Sequence, residues 1–176
     1  MTSLPLHPAI VHLPLGLAFV MPALAIGFAW ALWRGRAHAR SWAGIVALQA
    51  VLLGAGLVAM NTGEREEDRV ESVVPKGAIS QHEAYAEQFV WATGGTLLLA
   101  ALVLVSRRPA AARALAVATV VGTVFVAASA IRVGHAGGRL VYVHNAGAAY
   151  SVSTPRAAAA VTDVADPKGH RENDDR

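Results

Sequence analysis

The charges of this chain are segregated, and that segregation limits what it can fold into more than any average does. No Asp, Glu, Lys or Arg precedes Arg34, and none falls between Arg40 and Glu64, between Glu87 and Arg107, or between Arg113 and Arg132. The apolar stretches that fill these gaps run from about Ala9 to Trp33, Trp42 to Met60, Ala84 to Val105 and Ala114 to Val133. Each reaches about the 20 residues that a helix needs to cross the hydrocarbon of a bilayer. A buried helix of a soluble bundle keeps one polar face. Residues 43–60 and 114–131 are apolar all round, which argues against that alternative. Charged residues make up 15% of the 176 residues, well below the roughly 25% of a soluble domain. The fold expected is all-α: a four-helix transmembrane bundle over residues 1–150, followed by a flexible polar tail over 151–176.

The flanking charges set an orientation. Arg34, Arg36 and Arg40 follow span one, and Arg107, Arg108 and Arg113 lie between spans three and four with no acid among them. Residues 61–83 instead hold six acids, Glu64, Glu66, Glu67, Asp68, Glu71 and Glu83, against Arg65, Arg69 and Lys76. The positive-inside rule places the two arginine loops in the cytoplasm and both termini outside. Trp33 and Trp42 flank the first arginine loop as interfacial anchors would. Residues 1–8 carry no basic side chain, so span one reads as a retained helix rather than a signal peptide. The formal charge of +3 belongs to these short loops and does not point to nucleic acid. The chain has no cysteine, which excludes disulfides, thiolate metal sites and cysteine nucleophiles.

Small residues four apart, Ala50 with Gly54 and Ala118 with Gly122, are candidates for close helix contact. Pro14 and Pro22 should bend span one, each lacking a backbone donor. Its N-terminal part is therefore expected inside the bundle. After span four, Gly134, Gly137 and Gly138 predict a tight turn, and Leu140 to Val143 a strand, a half-inserted segment or a lid.

Seven histidines occur, and topology sorts them. His38 lies in an arginine loop and His170 in the tail. His7, His12, His82, His135 and His144 all fall at the outer ends of the spans. Ser80 and Glu83 match a capping box, which would put His82 in the first helical turn, where the dipole favours neutral imidazole. Neutral imidazole is the metal-binding form. Glu83 and Glu87 share a helix face and are candidate ligands or partners of a ligating histidine. His7 and His12, five apart, do not share a face. His12 sits within an apolar run, where a polar side chain is costly and usually has a partner. Arg139 and Tyr142 are candidates to line the same pocket. Each of these residues also has a plain structural reading: histidines sit well near headgroups, and Arg139 can contact a lipid phosphate.

The segments His7-Pro-Ala-Ile-Val-His-Leu-Pro14 and Gly137-Gly-Arg-Leu-Val-Tyr-Val-His144, taken together, resemble the bacterial family catalogued as domain of unknown function 2231. That resemblance covers roughly residues 5–150. It implies a multi-pass protein of the bacterial inner (plasma) membrane with four helices, and it implies no assigned function. The four-helix plan with histidines is also similar to membrane cytochromes b. That analogy implies a b-type heme with His12 and His82 as the axial pair, and His7 and His135 as alternates. Only His38 lies at the inner side, so at most one heme, near the outer face, is expected.

Three readings remain open on sequence. One is a single heme b that exchanges electrons with a quinol or a periplasmic redox partner, with Arg139 beside the site. Another is a structural subunit or anchor packed against other membrane subunits in the lipid bilayer. The third is a divalent transition-metal site drawn from His12, His82, His135, His144, Glu83 and Glu87, for which imidazole would accept Zn, Cu, Fe or Ni alike. No charge lies in mid-membrane and no repeat marks a transport site. No G-x-S-x-G motif marks a hydrolase, and no catalytic residue is expected.

Overall fold

The computed structural model describes residues 6–150, and the polar tail expected from residue 151 lies outside the described residues. A short helix α1 (His7–Ile10) leads into α2 (His12–Trp33), followed by α3 (Ala43–Val70), α4 (Lys76–Val105) and α5 (Pro109–Tyr142). One 3-10 turn, Ala39–Trp42, precedes α3, and another, Ala146–Tyr150, follows α5. Four helices are long and apolar enough to cross a membrane. Each of α2 to α5 packs on two neighbours in a closed ring, α2–α3–α4–α5. Short connections make successive helices antiparallel. The two arginine loops therefore share one end of the bundle, and the connection between α3 and α4 shares the other with α1 and the turn Ala146–Tyr150.

The break between α1 and α2 follows from Pro14. It has no N–H to give to the Ile10 carbonyl, and its ring crowds that oxygen, so α1 stops at Ile10. Pro14 itself is buried in the first turn of α2, while Leu13 beside it is exposed. Only one face of this stretch enters the bundle, not the whole of it. At the other end α2 closes with Gly35 at φ +67°. There Arg36 N–H donates to Ala31 O at 2.9 Å and Gly35 N–H to Leu32 O at 3.2 Å, a Schellman closure that needs a left-handed residue.

The bundle interior is small and partly polar, while the outside is apolar. Thr93, Thr96, Thr119, Thr123 and Ser129 are buried, and Phe19, Ile26, Leu57, Trp91, Leu98, Val121, Phe125 and Ile131 are exposed. Water would penalise such a surface; hydrocarbon would not. The buried hydroxyls are satisfied within their own helices. Thr93 donates to Phe89 O at 2.7 Å, Thr96 to Ala92 O at 2.8 Å, Thr119 to Leu115 O at 2.9 Å and Ser129 to Phe125 O at 3.0 Å. One polar contact joins two helices here, from Gln49 Nε2 of α3 to Thr93 O of α4 at 3.3 Å.

Several expectations change. The acidic stretch 61–83, expected as a loop outside the spans, is mostly helical: α3 runs to Val70 and α4 starts at Lys76, leaving only residues 71–75 as a connection. The capping box at Ser80 is not formed, because Pro75 occupies the N-cap and Ser80 is already inside α4. Neither a tight turn nor a strand follows span four; α5 continues through Gly134, Gly137 and Gly138 to Tyr142. The left-handed residue beyond it is Asn145 at φ 54°. Trp33 is exposed as an anchor would be, but Trp42 is 1% exposed and belongs to the core. Ala50 and Gly54 are both exposed, and nothing approaches Gly54. Gly122 does make a close contact, against Thr96, and a second one that was not expected joins Gly56 to Phe89.

Candidate functional site

The histidine end is assembled from α1, the last turns of α3, the first turns of α4 and the last turns of α5. Here the His7 and His82 rings meet edge to face, with centroids 6.3 Å apart and planes at 86°. Both rings are half-buried. His7 Nδ1 lies 2.9 Å from the Ala59 carbonyl oxygen of α3. A carbonyl only accepts, so His7 donates to it through Nδ1–H. Thr62 Oγ1 donates to the same carbonyl at 2.9 Å. His82 has the Val133 carbonyl of α5 as its backbone neighbour, and its Nδ1 is buried with no hydrogen-bond partner.

Two glycines make room for these rings. A Cβ on Gly63 would stand 3.2 Å from His7 Cε1, and one on Gly137 would stand 3.2 Å from His82 Cε1. Gly137 thus serves close approach of α4 to α5, not a turn. This is why a glycine-rich segment remains helical: the helix penalty of about 1 kcal/mol for glycine is set against the packing that its missing side chain permits.

A single carboxylate ties Leu6, His7 and Tyr150 to α3. Glu66 Oε1 accepts from Leu6 N at 3.0 Å and from His7 N at 3.4 Å, which satisfies free donors at the start of α1. Its other oxygen, Oε2, accepts from Tyr150 Oη at 2.7 Å. The Arg69 guanidinium lies 5.4 Å from the centre of the Tyr150 ring. Beneath this clasp Val74, Ile79 and Ala146 form a small second core with Val70, Ala78 and Leu140 packed against it. The lid over the bundle is therefore the turn Ala146–Tyr150, not Leu140–Val143.

Burial, the bond to Glu66 and the charge of Glu66 push the Tyr150 hydroxyl up to about 12, opposed by Arg69. A raised folded-state value means that the folded protein holds this proton more tightly than the unfolded chain. The clasp is then intact below pH 10, the ordinary tyrosine value, and is lost as pH rises from about 10 to about 12. Wild-type protein is expected to lose thermal stability across that window more steeply than Tyr150→Phe. Melting temperatures of the two proteins measured from pH 9 to pH 12 (roughly the interval between the two states' values) check this.

The other expected ligands are not brought together. His12 lies exposed on α2, so the pair with His82 is made by His7 instead. The five-residue separation turns His7 inward and His12 outward, and the break at Val11 does not change that. His135 is exposed on α5. His144 and Arg139 line a separate pocket of about 290 Å³ together with Gln81 and Leu140. Glu83 is half-buried beside Glu67 rather than beside a histidine, and Glu87 is exposed. Among the described residues no three His, Asp or Glu side chains are placed to hold a metal ion. The metal set His12, His82, His135, His144, Glu83 and Glu87 therefore does not form one site.

Sequence reasoning missed Gly63, Glu66 and Tyr150. Glu66 is one of a run of acids and carries no local mark that separates it from its neighbours. Gly63 did carry a signal, as a lone glycine at the apolar-to-charged boundary of α3. No protein-family model, no curated protein and no solved structure matches this chain.

Proposed function

We propose that this is a multi-pass protein of the bacterial inner membrane, with its arginine end in the cytoplasm, that holds one b-type heme between His7 and His82 for electron transfer. The observation that carries the proposal is the His7–His82 pair at 6.3 Å, with a buried, unpartnered nitrogen on His82. A buried polar atom without a partner calls for an explanation. Ligating histidines commonly give their other ring N–H to a backbone carbonyl. His7 has this arrangement through Ala59.

The number of ligands separates heme from a bare ion. A bare zinc ion takes three or four protein ligands, whereas heme needs fewer from the protein. Two adjacent histidines suit the second case. Heme would supply a one-electron redox centre. The chain's own residues would position the imidazoles (Ala59, Gly63, Gly137) and close the end against water (Glu66, Tyr150 and the turn Ala146–Tyr150).

The orientation rests on Arg34, Arg36, Arg40, Arg107, Arg108 and Arg113 at one end and the acids at the other. One observation favours a second reading. The Glu66 clasp binds Leu6 and Tyr150 to α3 without any cofactor, as a purely structural subunit would require.

The test is a pair of visible spectra, oxidised and dithionite-reduced, of protein purified in mild detergent after expression with ample heme. A Soret band that shifts on reduction, with an α band, is the expected result. A colourless protein would sink the heme proposal and leave the structural reading.

A further inference from the structure

A groove of about 580 Å³ runs between α2 and α5 at the arginine end, walled by Ile26, Trp30 and Trp33 on one side and Arg113, Val117 and Val120 on the other. It is within the roughly 300–1,000 Å³ of small-molecule sites. Ile26, Trp30, Trp33 and Val117 are exposed, so the groove opens sideways, toward where lipid would lie. Its mouth is strongly positive. Arg113 forms part of the wall. The Arg34 and Arg36 guanidiniums lie 5.3 Å and 5.5 Å from the centre of the Trp30 ring, which holds both beside the opening. Arg107 and Arg108 immediately precede α5. No acid occurs before Glu64, or from residue 88 to residue 150, so no acid among the described residues at this end neutralises these arginines.

An apolar channel open to the bilayer with a cluster of unneutralised guanidiniums at the headgroup level selects one chemistry. We infer that the groove seats one anionic phospholipid molecule, its phosphate held by Arg34, Arg36 and Arg113 and an acyl chain lying between Trp30 and Val117. The inference rests on reading α2 to α5 as membrane spans, and it is independent of the histidine pair. Guanidinium is suited to phosphate because its fork of donors matches the phosphate oxygens. Basic pockets between spans on the cytoplasmic side bind anionic headgroups by the same physics.

The test is native mass spectrometry of the full chain in detergent, with phosphatidylglycerol and phosphatidylcholine added separately at equal concentration. Phosphatidylglycerol is expected to remain bound under activation that strips phosphatidylcholine. The triple variant Arg34→Gln, Arg36→Gln, Arg113→Gln should lose about tenfold or more in phosphatidylglycerol affinity. Val117→Trp, which fills the groove without changing charge, should lose it as well. Equal retention of the two lipids, or selectivity that survives either variant, overturns the site. Failure of the membrane reading looks different: the protein would then be soluble without detergent and retain neither lipid.

Discussion

His82→Ala is expected to abolish the heme absorbance of the purified protein, and His12→Ala to leave it unchanged. The two residues have equal standing in the sequence as histidines at the outer ends of spans, and the packing separates them. His82 is half-buried, meets His7 edge to face at 6.3 Å and carries an unpartnered buried nitrogen; His12 is exposed on α2. Removing the partner groups that merely orient a ligating histidine costs about 10- to 100-fold in metal affinity. Removing the ligand itself should exceed that, so the Soret band should vanish in His82→Ala and in His7→Ala alike. Circular dichroism at wild-type helix content shows that the variants still fold. A band lost in His12→Ala but kept in His82→Ala would overturn the assignment of the pair, whatever the cofactor.

The largest stability effect is expected at Gly122. A Cβ there would stand 2.7 Å from Thr96 Oγ1 and 3.0 Å from Thr96 Cγ2, closer than real side chains tolerate. Thr96 is 3% exposed, and its hydroxyl is committed to Ala92 O at 2.8 Å, so the side chain has little room to yield. Overpacking of this kind costs about 1–3 kcal/mol, and α4 with α5 is the most extensive helix pair in the bundle. Gly122→Ala should therefore lower the melting temperature in detergent. Adding Thr96→Ala removes both crowding atoms, leaves Thr96's Cβ position at 3.3 Å, and should restore most of the loss. A Gly122→Ala protein as stable as wild type would show that the two helices do not approach this closely.

How much of this was legible beforehand differs by residue. The four spans followed from charge gaps because every polar group inside hydrocarbon is expensive, so the cost is written directly into composition. The gathering of His7 and His82 at one end followed from the alternation of spans. Their pairing did not, because residues 7 and 82 meet only through the packing of α1 on α3 and of α3 on α4. The glycines misled for a related reason. Gly137 in isolation is a turn signal, and whether it ends a helix or admits a neighbour's ring depends on what lies across the gap. Trp42 likewise reads as an interfacial anchor until the 3-10 turn Ala39–Trp42 points it inward.

What the sequence by itself determined is the class of structure: four apolar helices, their order, an acidic end opposite an arginine end, and five of the seven histidines on the acidic side. These are one-dimensional properties, set by length, local charge and hydropathy. The tertiary structure decided which histidine meets which, that Glu66 ties residues 6, 7 and 150 to α3, and that Trp30 and Arg113 share a groove. Those depend on helix rotation and on angstrom-scale approach between α4 and α5, which arise from contacts between residues far apart in the chain.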